Sequence, residues 1–191
     1  MKKLLLILLC LPLLFSSCQE NNPLPQVVNE VSQSWEKTFN LGHGYFVQQT
    51  SDGGYIIGGE TEVNGIDDVY LIKTDASGVE QWSQTFGGTS GDRGFSVQQT
   101  TDGGYVIAGY TQSFGVGYQN LYLIKTDDNG IEQWNKTYGG NPNSENWGNS
   151  VQQTTDGGYI ICGSKYDDLT NSNGYSVVYL LKTDANGDIN N

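Results

Sequence analysis

The chain has 191 residues, 26 glycines and a net charge of −12 at pH 7. Because Asp and Glu outnumber Lys and Arg by 21 to 9, the composition disfavours binding to nucleic acid or to an anionic lipid surface through a basic patch. With one histidine and three cysteines, the chain offers few of the ligands that zinc prefers, so neither a metal nor another cofactor is predicted.

The first 17 residues have the pattern of a secretory signal peptide. Lys2 and Lys3 precede an apolar run over residues 4–15, which is shorter than the about 20 residues of a membrane-spanning helix. The segment before Cys18 resembles the lipobox of bacterial lipoproteins, with Phe15 where Leu is usual. That resemblance implies cleavage before Cys18 and its lipidation, with palmitate among the acyl groups. An ordinary cleaved signal, in which Cys18 is incidental, is the alternative.

Residues 18–32 are predicted to be an extended tether, because they are polar and contain Pro23 and Pro25. The remaining residues, 33–191, have the length of one domain. Cys162 aligns there with a glycine and an alanine of two similar segments, so we expect it to fill a small buried slot without forming a disulfide.

The domain contains three copies of one phrase, which begin at Val47, Val97 and Val151. Each copy has the form Val-Gln-Gln-Thr-(Ser/Thr)-Asp-Gly-Gly-Tyr-(Ile/Val)-Ile, and its aspartates are Asp52, Asp102 and Asp156. A period near 50 residues is typical of propellers and related β arrays, in which each repeat is one small sheet. The Asp-Gly-Gly sequences are typical of tight hairpin turns.

In the second copy the pattern predicts four strands, over residues 95–100, 105–111, 121–126 and 131–138. Four antiparallel strands in sequence form a meander, which is the blade of a propeller. A further strand around Trp35 raises the predicted total to twelve. The predicted fold is therefore all-β, a propeller-like array of three four-stranded antiparallel blades.

Residues 70–82 resemble the tryptophan-docking repeat of PQQ-like propellers. The whole unit also resembles the Asp-Gly-Gly-Tyr repeat of secreted propeller-like lipoproteins of Bacteroidota, some of which carry an endoglucanase label. The first resemblance implies that Trp35, Trp82 and Trp134 each pack against a neighbouring blade. The second implies attachment to the outer membrane of a Gram-negative cell, facing either the periplasm or the exterior.

Three blades are fewer than the 4 to 8 of a closed propeller. Two arrangements are left open. Either two chains form a homodimer that shares strands in a six-bladed ring, or the chain is an open arc with an exposed strand edge. In the first arrangement the strand around Trp35 completes a last blade.

The loops that connect strands two and three of a blade, or one blade to the next, vary in length and composition, whereas the other turns are nearly identical in every copy. Variable loops on a repeated scaffold commonly carry binding sites, so one end of the array is the candidate binding face. Its predicted residues are His43, Tyr45, Asp68, Arg93, Phe114, Tyr118, Trp147, Tyr166, Asp167, Asp168 and Tyr175. Aromatic rings among polar side chains suit sugar rings, although rings that merely cap blade edges would give the same pattern.

Catalysis has little support in the sequence. Glycoside hydrolysis needs two carboxylates about 5–10 Å apart, and no pair has a distinctive spacing. His43 is the single histidine, and residues 184–188 fit a hairpin turn better than a calcium loop. The lysines Lys73, Lys125 and Lys182 recur in every copy, so we expect them to pair with turn carboxylates rather than to act in catalysis.

These patterns predict a non-enzymatic, lipid-anchored module of the cell envelope that binds a glycan or a protein through one loop face. Two alternatives remain. One is a polysaccharide hydrolase acting on glucans, which the endoglucanase label would imply, and the other is a truncated propeller remnant without independent activity.

Overall fold

The computed structural model describes residues 34–39, 42–63, 65–139, 142, 144–166 and 176–189. The predictions about the signal peptide, Cys18 and the tether concern residues outside these ranges. The segment Trp35–Asn191 forms one compact unit, and every described strand belongs to it.

Eleven strands and no helix are found in the described residues. The strands are β1 (His43–Gln49), β2 (Tyr55–Val63), β3 (Ile66–Thr74), β4 (Glu80–Phe86), β5 (Asp92–Gln99), β6 (Tyr105–Thr111), β7 (Asn120–Thr126), β8 (Glu132–Tyr138), β9 (Glu145–Gln153), β10 (Tyr159–Tyr166) and β11 (Ser176–Thr183). The four strands predicted for the second copy are all present, and the first of them begins three residues earlier than predicted, at Asp92.

The strands form three antiparallel sheets, ordered β1-β2-β3-β4, β5-β6-β7-β8 and β9-β10-β11. Each sheet is a meander, so the predicted all-β, blade-like fold is confirmed. The predicted count of twelve strands is wrong for the described chain, because residues 34–39 contain no strand. A strand requires a neighbour for its backbone groups, and no described strand pairs with this segment.

The repeated Asp-Gly-Gly sequence forms the turn between the first two strands of each blade. In the second blade the Gly103 amide donates to the Thr100 carbonyl oxygen at 2.9 Å, and Gly103 has a φ of +89°, which glycine adopts without steric cost. The Asp102 carboxylate accepts the Gly104 amide at 3.1 Å. The turn therefore needs an acceptor and a glycine at these two positions.

A lysine of the third strand closes the same turn from the side. Lys125 Nζ lies 2.9 Å from Asp102 Oδ2 and donates to the Thr126 carbonyl oxygen at 2.8 Å. Lys73 contacts Asp52 at 2.8 Å, and Lys182 contacts Asp156 at 2.5 Å. The expected structural role of these lysines is confirmed.

Two hydrophobic cores lie between consecutive blades. The first joins Ile56, Val69 and Leu71 of the first blade to Tyr105 and Ile107 of the second. The second core joins the second blade to the third in the same way, with Leu121, Leu123, Tyr159 and Ile161 among its members. At each of these two junctions, the back face of one blade packs on the front face of the next.

A tryptophan of each fourth strand crosses to the following blade. Trp82 meets Tyr105 with ring centroids 5.7 Å apart, and Trp134 meets Tyr159 at 5.8 Å. Trp35 makes the same edge contact with Tyr55 of the first blade at 5.7 Å. Edge-to-face pairs of this kind contribute about 0.5–1.5 kcal/mol beyond their buried area.

The two glutamines of the repeated phrase join the inner strands of consecutive blades. Gln48 Oε1 accepts the backbone amide of Gln99 at 2.8 Å, and Gln99 Oε1 accepts the backbone amide of Ser51 at 2.8 Å. The same exchange recurs between the next two blades, where Gln98 accepts from Gln153 and Gln153 accepts from Thr101. Each junction thus holds a reciprocal pair of hydrogen bonds.

The array is open in the single chain. β1 packs beside β5 and β5 beside β9, whereas no comparable packing joins β1 to β9 among the described strands. The prediction that Cys162 fills a buried slot is wrong, because Cys162 is exposed. Its counterpart Ala108 is fully buried under the third blade, but Cys162 lies on a back face that no other described strand covers.

Candidate functional site

The predicted binding face lies at the end of the array where the strand pairs β2–β3 and β6–β7 are connected. His43 begins β1 and is paired in register with Glu60 of β2. The strands extend further toward this end than predicted, so Asp68 lies within β3 and Arg93 within β5. Most of the site therefore stands on strand ends rather than on loops.

A buried glutamate, Glu60, organises the junction between the first and second blades. Its Oε1 accepts the Tyr45 hydroxyl at 2.7 Å and lies 3.3 Å from His43 Nδ1. Its Oε2 lies 2.5 Å from Arg93 Nε, an ion-pair contact that lacks hydrogen-bond alignment. Arg93 also donates from Nη2 to Asp67 Oδ2 at 2.7 Å. One guanidinium thus holds two carboxylates from neighbouring strands.

Burial of Tyr45 and hydrogen bonds to carboxylates keep the donors of this cluster protonated. Burial, and then the hydrogen bond to Glu60, raise the pKa of Tyr45 to about 12. The hydrogen bond to Asp67 raises the pKa of Arg93. Tyr45 is therefore a neutral donor and Arg93 a cation throughout the physiological pH range, so neither supplies a general base.

A cleft of about 270 Å³ opens over the cluster. It is lined by Gly42, His43, Glu60, Glu62 and Asp67. The imidazole of His43 is largely exposed, and Glu62 is exposed as well. A ligand in this cleft would meet carboxylate acceptors and an imidazole, which are groups that bind hydroxyls by hydrogen bonds.

A row of aromatic rings runs from this cluster across all three blades, on the inner strands β1, β5 and β9 and on the second strand β6. Successive ring centroids are 5.8 Å apart from Tyr45 to Phe95, 5.8 Å from Phe95 to Tyr110 and 6.1 Å from Tyr110 to Trp147. Trp147 Nε1 donates to Gln119 Oε1 at 2.5 Å. Tyr45 is 45% exposed, whereas Tyr110 is buried. The row therefore presents its first ring to solvent and packs the later ones.

Two further carboxylates meet at the same junction, around Gly87. A Cβ placed on Gly87 would lie 2.0 Å from Asp68 Oδ1 and 2.7 Å from Asp92 Oδ2. Asp92 is fully buried and accepts the Gly88 amide at 2.9 Å and the Ser113 hydroxyl at 2.6 Å. Asp68 Oδ1 is buried without a hydrogen-bond partner. Burial, and then the charge of Asp92, raise the pKa of Asp68.

The structure brings some predicted site residues together and separates others. His43, Tyr45 and Arg93 surround Glu60, and Trp147 joins them through the aromatic row. Phe114 packs on Tyr122 instead, with centroids 5.7 Å apart. Tyr118 is exposed in the connection between β6 and β7, and Tyr166 ends β10. The predictions for Asp167, Asp168 and Tyr175 lie outside the described residues.

Sequence reasoning gave no role to Glu60, Phe95 or Tyr110, although these side chains connect the site. A usable signal was present in the repeat. In the second strand of each copy, a pair of small residues is followed by a position that differs between copies. This position is Glu60 in the first copy, Tyr110 in the second and Ser164 in the third. A position that varies inside an otherwise constant strand marks a side chain that the scaffold does not require.

No family model matches this chain, and no curated protein matches it either. In the described part of the chain, no group of three or more His, Cys, Asp or Glu side chains is arranged to hold a metal ion. Across the same residues, none of the structure is a helix of the length and apolarity that would cross a membrane.

Proposed function

We propose that this protein is a lipid-anchored binding module of the cell envelope, placed at the outer membrane, that takes a glycan or protein ligand at the junction of its first two blades. The observation that supports this proposal most directly is the cleft beside Tyr45. The exposed ring of Tyr45 is joined to this cleft through its hydroxyl, which donates to Glu60, one of the hydrogen-bonding groups that line the cleft. Such a combination can stack on a sugar face while its polar groups bind the hydroxyls.

Binding is better supported than hydrolysis because the carboxylates of the site are committed to protein partners. Glu60 and Asp67 are both paired with Arg93, and Asp92 is fully buried. Asp68 has the raised pKa that a general acid needs, and this is the one feature that favours a glucan hydrolase. Its nearest carboxylate neighbour around Gly87, Asp92, is shielded from any substrate.

The proposal can be tested with a panel of soluble glycans and the full chain in detergent micelles. Ligand binding to the folded state raises the melting temperature, so at least one glycan is expected to raise it. Tyr45→Ala should abolish that rise, whereas Tyr45→Phe should retain most of it if stacking dominates. Val79→Ala is a matched control, because Val79 is similarly exposed and follows the β3–β4 turn at the opposite end of the blade.

A parallel assay for reducing ends separates the hydrolase from the binding module. Turnover of a glucan that is lost in Asp68→Asn would replace the binding proposal with the hydrolase. If no glycan shifts the melting temperature, a protein ligand remains, and Tyr45→Ala should then reduce capture of that ligand from an envelope extract. Ligand effects that survive Tyr45→Ala would overturn the proposed site.

A further inference from the structure

The two ends of the array expose faces that are buried at every internal junction. On the back face, Leu71 and Leu123 are fully buried in the first and second blades, whereas the corresponding Leu180 of the third blade is 67% exposed. Val178 is 83% exposed, and its counterparts Val69 and Leu121 are buried. On the front face, Val47 of the first blade is 65% exposed, whereas its counterpart Val97 is partly buried and its counterpart Val151 is buried.

These exposed faces are the two halves of one kind of interface. The internal junctions join a back face of the Leu71 type to a front face of the Tyr105 type. No described strand packs on the back face of the third blade. The front face of the first blade has the same residue types as that of the second, with Tyr55 and Ile57 in the places of Tyr105 and Ile107. Complementarity between them is therefore built into the repeat.

The segment of residues 35–39 already occupies the place of a fourth strand that precedes the first blade. A Cβ on Gly78 would meet Trp35 at 2.6 Å and Lys37 Cγ at 2.9 Å. A Cβ on the equivalent Gly130 would meet Trp82 at 2.6 Å and Gln84 Cγ at 3.0 Å. The segment therefore lies against the first blade as β4 lies against the second.

The third blade has no described fourth strand. Its outermost described strand, β11, pairs with β10 on one side only. In the other two blades the equivalent strand also pairs with a fourth strand, which carries the docking tryptophan. An unpaired edge of this kind is a template for another strand.

The glutamine exchange also stops at both ends. Gln152 and Gln49 are exposed, whereas the glutamines that join blades, Gln48, Gln98, Gln99 and Gln153, are all partly buried. By the internal pattern, Gln152 would accept the Gln49 amide of a following blade. The exposed faces, the unpaired edge of β11 and the unused glutamine positions would therefore all be satisfied by one neighbour, a blade of the same repeat.

We propose that the third blade of one copy packs on the first blade of a second copy of this chain, and that residues 35–39 of the second copy become the fourth strand of that third blade. Two such contacts related by a two-fold axis close a ring of six blades, a number within the 4 to 8 that closed propellers have. The register follows from the internal blades, where Leu71 pairs with Gln84 and Leu123 with Lys136. Lys37 of one copy therefore lies opposite Leu180 of the other.

The first test is the molar mass of the full chain in detergent micelles, measured by light scattering with correction for detergent. The unaltered chain should have the mass of two copies. Leu180→Asp should yield single copies with an unchanged circular dichroism spectrum, because this side chain is exposed in the isolated chain. Val116→Asp should leave the pair intact, since Val116 is similarly exposed but lies in the β6–β7 connection, away from both faces.

The second test fixes the register and does not depend on a disruptive variant. Chains with Lys37→Cys and chains with Leu180→Cys, both in a Cys162→Ala background, are mixed and oxidised. Directly opposite residues of antiparallel strands have Cβ atoms about 4.5–5.5 Å apart, close to the separation in a disulfide. A disulfide between the two kinds of chain is expected, and Val116→Cys in place of Leu180→Cys should give none.

Single copies of the unaltered chain at every concentration would overturn the proposal, and so would a pair that Leu180→Asp leaves intact. A mass that grows beyond two copies would overturn the closed ring. Absence of the Lys37-to-Leu180 cross-link in a chain that does pair would overturn the shared strand.

Discussion

Asp68 and Asp92 form a junction between the first two blades in which like charges are buried together. The equivalent positions between the second and third blades are Asn120 and Asn146, which surround Gly139 as the two aspartates surround Gly87. The molecule therefore contains its own neutral version of the same contact. The aspartate pair destabilises the folded state when both carboxylates are ionised, so its effect on stability depends on pH.

Asp68→Asn should raise the free energy of unfolding at pH 7. The pKa of Asp68 in the folded protein is raised by burial and then by Asp92, whereas the pKa of an unfolded aspartate is about 3.9. Between these two pKa values the folded state binds more protons, so stability falls as the pH rises through that window. The gain from Asp68→Asn should thus shrink toward zero as the pH falls to about 4, as measured by urea denaturation across pH.

The neighbouring Asp67→Asn provides a control of opposite sign. Asp67 accepts a hydrogen bond from Arg93 at 2.7 Å, so its loss removes a charge-assisted contact instead of a repulsion. Asp67→Asn should lower stability at pH 7. Equal responses of Asp67→Asn and Asp68→Asn would show that the burial of Asp68 beside Asp92 has no energetic consequence.

At the scale of the blade, identical sequences are held in different surroundings. The side chain of Lys125 is 4% exposed and that of Lys182 is 54% exposed, although each pairs with the aspartate of the same turn. The second blade lies between two others, whereas the back of the third is open. The same Lys-Asp pair should therefore stabilise the second blade more.

Asp102→Asn should cost about 1–3 kcal/mol, the cost of leaving a buried polar or charged group without its partner. Asp156→Asn should cost clearly less, because water can solvate the released Lys182. Chemical denaturation of the two variants measures the difference. Each variant is a matched control for the other, because Asp102 and Asp156 occupy the same position of the same turn. The pKa of Asp156 is lowered chiefly by Lys182, so any stability that this pair provides is lost as the pH falls below the usual range for aspartate. A larger loss in Asp156→Asn than in Asp102→Asn would contradict the burial argument.

The strands and turns of each blade could be predicted from sequence because their causes are local. Glycine at positive φ, alternating apolar residues and an aspartate acceptor act within about ten residues and recur three times. The burial of Cys162 and the strand around Trp35 were predicted wrongly for the opposite reason, although Trp35 itself packs on Tyr55 as expected. Cys162 would be buried, and the segment around Trp35 paired, only beside a further blade, and the repeat pattern does not show which blades have such a neighbour.

The binding face could be predicted only in part. His43, Tyr45 and Arg93 were found because polar and aromatic residues stand out at the variable end. Glu60 was missed as their centre, since its role depends on the approach of two blades. The pairing of Arg93 with carboxylates of two strands is a tertiary contact, and no local pattern specifies it.

At the scale of the whole molecule, the arrangement of the blades should produce a gradient of hydrogen-exchange protection. All seven residues of β6 and all seven of β7 are buried, whereas five of the eight residues of β11 are exposed. Amides are protected where opening requires buried surface to separate. In single copies, such as those expected for Leu180→Asp, β6 and β7 should exchange slowest and β11 fastest.

In the six-bladed ring this gradient should disappear. β11 would lie between β10 and the borrowed strand, and the back face of the third blade would be covered, so its amides should approach the protection of β7. Residues 35–39 should become protected together with β11, because the same ladder of hydrogen bonds would fix both. Exchange measured by mass spectrometry on the unaltered chain and on Leu180→Asp tests this coupling directly. Rapid exchange of β11 in a chain that forms pairs would mean that the copies associate through some other surface.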